Sequence, residues 1–167
     1  MAKRMLVVYY SWSNGNTEGI ARQLARACDA DIERIETIVP YPADYDTTVD
    51  QGKREVEAGF KPAIERFEHD PADYDVIAVG TPTWWYTMAP AVATFFSEHS
   101  WEGKTVVAFM TDGGWPGHVI EDMENAASGA AFGPSFEVRF DSSGGARLQT
   151  PQTDIDEWVA SVKALLS

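Results

Sequence analysis

The sequence predicts an α/β fold: a doubly wound parallel sheet of five strands with helices on both faces, built by one domain over residues 1–167. Two observations predict it. Apolar runs that are continuous rather than alternating recur along the chain, as in parallel strands covered on both faces. Helical patterns fall between the runs, so strand and helix alternate five times and right-handed crossovers follow.

The first run, MLVVYY (residues 5–10), is β-branched and aromatic and breaks sharply at Ser11. A helical pattern follows over 15–27. ADIERIET (30–37) is a weaker strand candidate, and VPYPADYDTTVDQGKREVEAGFKP is a long excursion before the third strand, with a helical pattern over 48–57. VIAVG (76–80) and TVVAFM (105–110) are further central strands, followed by helical patterns over 89–98 and 119–127. SFEVRF (135–140) alternates, which suits a strand nearer the sheet edge. The last helix, 153–166, opens on Thr153, Asp154 and Asp156 as a capping sequence. It places Ile155, Trp158, Val159, Val162, Leu165 and Leu166 on one face.

A chain of 167 residues with 44% hydrophobic content supports one adequate core. Its one cysteine, Cys28, excludes a disulfide framework or a cysteine-rich metal cluster, fits a small buried apolar role, and points to a reducing cytoplasm. The start MAKRMLVVYYSW has basic residues before an apolar run, but the run is too short for a signal peptide and lacks a small-residue cleavage site. No run is long enough to cross a bilayer. Thirteen basic against 26 acidic residues give a net charge of −13, which repels nucleic acid and anionic membranes and favours a partner with a basic face.

Sheets of this kind bind ligands at the carboxyl ends of their strands, which directs attention to three loops. The first, SWSNGNT (11–17), carries the hydroxyls of Ser11, Ser13 and Thr17, the amides of Asn14 and Asn16, and a flexible Gly15 just before a helix. Such a turn aims backbone N–H groups at one spot where the helix dipole adds positive potential, and can cradle a phosphate; an ordinary N-capped turn uses the same residue types. There is no lysine for a Walker loop and no GxGxxG for a dinucleotide. The second, GTPTWWYTMAP (80–90), sets Trp84, Trp85 and Tyr86 at a central strand end, where a planar ligand can stack, with one of the three expected to pack on the following helix. Pro82 and Pro90 stiffen it. The third, TDGGWPGH (111–118), offers Gly113, Gly114 and Gly117 for close backbone approach, Trp115 as a wall, and His118 at the ligand edge. His69 and His99 are expected to face solvent, and the three histidines lack the spacing of a metal site.

A phosphate cradle, aromatic walls and a glycine-rich edge together describe a flavin mononucleotide (FMN) site. On these segments the chain resembles the flavodoxin family: YYSWSNGNT looks like its phosphate loop, VGTPTWWYTMAPAVATFF is similar to the ring-contacting segment of a flavodoxin-like subgroup, and FMTDGGWPGHVIEDM resembles that subgroup's third flavin loop. The resemblance covers nearly the whole chain and implies the strand order 2-1-3-4-5. It implies that Ser11, Trp12, Ser13, Asn14, Gly15, Asn16 and Thr17 form the phosphate loop, with Asn14 inserted relative to the commonest form. It implies that Thr81, Pro82, Thr83, Trp84, Trp85 and Tyr86 contact the ring or ribityl chain. Thr111, Asp112, Gly113, Gly114, Trp115, Gly117 and His118 would close the other side.

The implied function is a low-potential electron carrier in which the protein sets the flavin's position, potential and exposure. The charge of −13 should disfavour the anionic reduced flavin, and redox partners should dock basic faces around its exposed edge. The alternative is an NAD(P)H-dependent FMN or quinone oxidoreductase on the same fold, which needs room for a nicotinamide over the ring. A phosphorylatable receiver domain would need an acidic cluster after the first strand, and a serine hydrolase a GxSxG elbow; the chain has neither.

Overall fold

The structure is a computed structural model describing residues 2–167. Five parallel positions make the sheet. The strands β1 (Met5–Tyr9), β2 (Asp31–Arg34), β3 (Val76–Trp84) and β5 (Thr105–Asp112) lie in the order β2-β1-β3-β5. The fifth position is divided between β6 (Ala131–Phe132) and β7 (Phe136–Arg139), both parallel to β5. Counted by position this is the 2-1-3-4-5 order that the resemblance implies. A short strand β4 (Thr87–Met88) turns back antiparallel on the end of β3, a feature the sequence reading did not contain.

The helices are α1 (Asn16–Cys28), α2 (Tyr45–Ala58), α3 (Pro90–Ser97), α4 (Val119–Ala126) and α5 (Gln152–Lys163). Because side chains alternate along a strand, each central strand feeds two cores. Val7, Ala78, Val107 and Phe109 face Ile20 and Leu24 of α1 and Ile155 and Trp158 of α5. Leu6, Val8, Ile77, Val79, Ala108 and Met110 face Val92 and Phe95 of α3 and Met123 of α4. Continuous apolar runs are the sequence record of that double burial. Gly80 has its own reason: the Phe109 ring, one strand over in register, stands 2.3 Å from where a Gly80 Cβ would lie.

Three expectations need correction. Helix α5 is not capped by Thr153, Asp154 or Asp156; its N-cap is Pro151, with no side-chain cap, and the last turn, Ala164–Leu166, tightens to 3₁₀ form. His69 and His99 are only partly exposed. His69 Nδ1 bonds Glu33, and the His99 ring lies 4.9 Å from that of Phe95, where burial pushes its pKa down. Cys28 is buried, as its expected apolar role requires. No helix among the described residues is long and apolar enough to cross a membrane.

Candidate nucleotide site at the carboxyl edge

Four loops meet at the carboxyl ends of β1, β3, β5 and β7. The first begins with Ser11, whose hydroxyl accepts the Glu18 N–H at 3.4 Å and whose carbonyl accepts from Arg34 at 2.9 Å. Gly15 takes the N-cap of α1 at φ +74°, a backbone state that costs glycine nothing. The N–H groups of Asn14, Asn16 and Thr17 have no protein partner among the described residues. They are the orphan donors of a helix start, aligned with its dipole. Arg34 is spent on the Ser11 carbonyl and on Glu18 at 3.3 Å, so the loop's anion affinity rests on N–H groups and hydroxyls.

Hydroxyl groups tie the loops together. Thr17 Oγ1 and Thr111 Oγ1 are 2.8 Å apart and buried, and Thr83 Oγ1 donates to the Thr111 carbonyl at 3.0 Å. Asn14 and Asn16 direct their side-chain amides at the carbonyls of Gly144 (2.5 Å) and Gly145 (3.1 Å). Those side chains therefore brace the fourth loop, leaving their backbone N–H groups for a ligand. Within that loop the Asp141 carboxylate accepts from Ser143 Oγ (2.8 Å) and the Gly145 N–H (2.7 Å), bonds that hold its pKa below the ordinary value.

The second loop is a two-residue hairpin in which both central residues, Trp85 (φ 52°) and Tyr86 (φ 69°), occupy the left-handed region. That is the signature of a type I′ turn, whose usual residues are Asn and Gly. Bulky aromatics there carry strain of roughly 1–3 kcal/mol each. The turn is held nevertheless: Trp85 Nε1 donates to the Val49 carbonyl at 2.9 Å, Lys53 Nζ lies 5.3 Å from the Trp85 ring centre, and the His118 N–H donates to the Tyr86 carbonyl at 2.9 Å. Trp84 is the one of the three that packs inward, edge-on to Tyr10 (5.8 Å), Tyr41 (4.9 Å) and Trp12 (6.3 Å). Gly52 of α2 lets that helix close on the Trp84 ring, 3.1 Å from a virtual Cβ.

Two cavities adjoin in this frame. One, of about 360 Å³, lies among Trp84, Trp85, Tyr86, Trp115 and the α2 residues Tyr45, Thr48, Val49 and Gly52. The other, of about 340 Å³, lies among Ser11, Asn16, Thr17, Thr111 and the segment from Phe140 to Gly145. Trp12, Ser13, Tyr45, Pro82, Thr83, Trp84, Asp112, Gly113 and Trp115 line both, so the two form one elongated cleft with an aromatic end and a polar end. Each half has the volume of a small-ligand site.

Six of the residues drawn together by the sequence reading lie outside both linings. Asn14 and Gly15 shape the first loop from behind. Thr81 has no exposed surface; its hydroxyl donates to the Pro82 carbonyl (2.8 Å) and accepts the Ala89 N–H (3.0 Å), which fixes the start of α3. Gly114 donates its N–H to Asp112 Oδ1 at 2.6 Å. Gly117 and His118 lie under the Tyr86 turn, and His118 Nδ1 pairs with Asp122, which also accepts from Thr87 Oγ1 at 2.5 Å. Two groups of lining residues were missed. The α2 wall had one signal, a glycine inside a helical pattern at Gly52; the fourth loop had another, the turn-rich DSSGG after the fifth strand.

Asp112 is the one carboxyl group in the shared wall among the described residues. Its side chain is 1% exposed, and Oδ2 has no hydrogen-bond partner among the described residues. Burial first, then the Glu137 carboxyl beside it, push its pKa up to about 7, against the opposing pull of the Gly114 N–H and Arg139.

A doubly wound sheet with a helix-start anion cradle joined to an aromatic slot defines a nucleotide-binding α/β protein. The chain belongs to the flavodoxin family, whose model matches residues 4–161. It is similar to a putative flavoprotein from Bacteroides eggerthii (27% identity, TM-score 0.77, covering 97% of this chain and 98% of that one). Another putative flavoprotein, from Bacteroides uniformis, matches at 23% identity and TM-score 0.77 over 96% and 99% of the two chains. A flavoprotein from Lactobacillus acidophilus, solved in complex with FMN, matches at 21% identity and TM-score 0.72 over 94% and 99%. No curated relative matches the sequence.

Proposed function

We propose that the protein binds FMN in this cleft and works as an electron carrier for partner proteins. The observation that carries the reading is the continuity of the two cavities, which sets unpartnered N–H donors at one end of a single cleft and aromatic rings at the other. FMN has that shape: a dianionic phosphate, a hydroxylated chain and a flat tricyclic ring. The Lactobacillus acidophilus flavoprotein supports the choice, since it was solved with FMN.

The residues present divide the work as follows. The Asn16 and Thr17 N–H groups and the α1 dipole hold the phosphate, each charge-assisted bond adding roughly 1.5–3 kcal/mol. Thr83, Asp112 and Gly113 line the middle of the cleft, where the chain lies. Trp84, Trp85, Tyr86 and Trp115 wall the ring and exclude water from its faces, with a gain of about 0.5–1.5 kcal/mol for each well-placed aromatic pair. When bound, FMN supplies the electron storage. Tyr86 and Trp115 are 52% and 60% exposed, so they form a rim that a partner can approach. With −13 net charge the favoured partner has a basic docking face, and the free buried thiol of Cys28 suits a reducing cytoplasm.

Titration of the apoprotein with FMN and with riboflavin tests the binding. FMN should bind at least about tenfold more tightly, the equivalent of about 1.4 kcal/mol from the phosphate. Equal affinity would remove the cradle, and no uptake of either would end the reading. Mixing the loaded protein with NAD(P)H and a quinone then separates the two roles. Inertness supports the carrier, and turnover moves the assignment to an NAD(P)H-dependent oxidoreductase.

A further inference from the structure

We propose that Asp112 is a redox-linked proton site: its carboxyl group takes up one proton from solvent when the cofactor bound beside it is reduced. This rests on the FMN reading above and says what one residue of that site does.

Asp112 ends β5 in the wall common to both halves of the cleft. Its two oxygens differ. Oδ1 accepts the Gly114 N–H, whereas Oδ2 is buried with no donor from the protein among the described residues. A buried carboxylate oxygen without a donor is costly, so the ionised group is disfavoured and the protonated form gains.

The charges around it do not relieve that choice. From β7, Glu137 adds a second acid, and Arg139 Nε stays 3.9 Å from Oδ1 while its guanidinium also holds Glu137 at 3.4 Å. From the fourth loop, Asp141 lays its carbonyl against Gly113 but turns its carboxylate to Ser143 and the Gly145 N–H. From β3 and the first loop come Pro82, Thr83 and Ser13, which carry no charge. The cation paired with Asp112 is therefore shared with Glu137, and that acid beside it favours the protonated form. With a pKa of about 7 the group stands near half-ionised at neutral pH, so one more negative charge in the cleft drives it to the acid form.

The step balances as follows. Two electrons from an external one-electron donor, with one proton, convert bound FMN to its singly more negative reduced form. Asp112 gains one further proton on its carboxylate, forming an O–H bond. Two electrons and two protons enter in all, and nothing leaves.

Spectroelectrochemistry of the FMN-loaded protein tests this, from about pH 5.5 to about pH 8.5, around the group's value of about 7. Each extra proton per electron pair steepens the potential by about 30 mV per pH unit, the tenfold step of a two-electron couple. Above about pH 7 the unmodified protein should show that extra slope, and Asp112→Asn should lack it. Glu137→Gln should move its onset to lower pH. Infrared difference spectra should show a protonated carboxyl band appearing on reduction in the unmodified protein only. That band decides the matter alone if the Asn variant fails to fold or to load. Parallel slopes in both proteins, or no carboxyl band, overturn the proposal while FMN binding stands. If the unmodified protein takes up no FMN, the functional reading falls first and this one with it.

Discussion

Gly117 packs directly on the backbone of Tyr86: a Cβ built on Gly117 would stand 2.3 Å from the Tyr86 carbonyl oxygen and 2.5 Å from its Cβ. The same Gly117 has φ +56°, and the next N–H, of His118, donates to that carbonyl. The third loop thus clamps the strained turn of the second. Strain of that kind persists only where its surroundings over-determine it, and here the clamp is identifiable.

Gly117→Ala should break the clamp. The left-handed backbone alone costs alanine roughly 1–2 kcal/mol, and the overlap with Tyr86 forces one of the two loops to move. At about 2–4 °C per kcal/mol for a chain of 167 residues, the backbone cost alone should lower the melting temperature by about 2–8 °C, together with weaker FMN binding. Unchanged melting and unchanged affinity would show that the two loops do not support each other.

Tyr86→Gly should do the opposite to the apoprotein. Tyr86 is 52% exposed, its hydroxyl has no hydrogen-bond partner among the described residues, and glycine suits the second central position of a type I′ turn. A gain of roughly 1 kcal/mol is expected in urea unfolding. Isothermal titration should show weaker FMN binding, by about 0.5–1.5 kcal/mol of lost ring contact. A variant that gains stability and keeps its affinity would remove Tyr86 from the ring wall.

The sheet was legible in the sequence because double burial writes itself as unbroken apolar runs, as in residues 5–10 and 76–80. The polar loop after β1 was legible because Ser11, Asn16 and Thr17 concentrate capping chemistry at one strand end. What stayed hidden arises from contacts across large sequence separations. That the Asn14 and Asn16 side chains serve Gly144 and Gly145 depends on β7 lying beside β5. The hairpin at Trp85 and Tyr86 was hidden for another reason: its residues contradict the preference of the turn they occupy. The sequence puts Asp112 at the end of the third central strand, but its burial against Glu137 depends on β7 lying beside β5.

Stability of the apoprotein should fall as pH rises from about 4 to about 7. The Asp112 carboxyl has a folded pKa of about 7 against an ordinary value of 3.8, so across that window the folded chain holds a proton that the unfolded chain releases. Unfolding then becomes easier with each step upward in pH. Urea midpoints at pH 5 and pH 8 measure the effect, and Asp112→Asn should shrink the difference between them. Asp141 acts in the other direction, because its pKa is lowered: the stability it adds is present above the ordinary carboxylate value and is lost as pH falls below it. An equal pH dependence in the Asn variant would mean that Asp112 ionises without cost.

The buried hydroxyl pair of Thr17 and Thr111, 2.8 Å apart, joins the first loop to the third and lends itself to a double-mutant cycle. Thr17→Val leaves the Thr111 hydroxyl buried without this partner and should cost about 1–3 kcal/mol. Thr111→Val should cost a similar amount for the same reason, since the rest of each side chain keeps its shape. The double variant should cost clearly less than the sum, because two valines leave no polar group to satisfy. Denaturant unfolding of the four apoproteins gives the coupling, expected between about 0.5 and about 3 kcal/mol. Strict additivity would mean that the two hydroxyls do not bond and that the loops are held in register by the sheet alone.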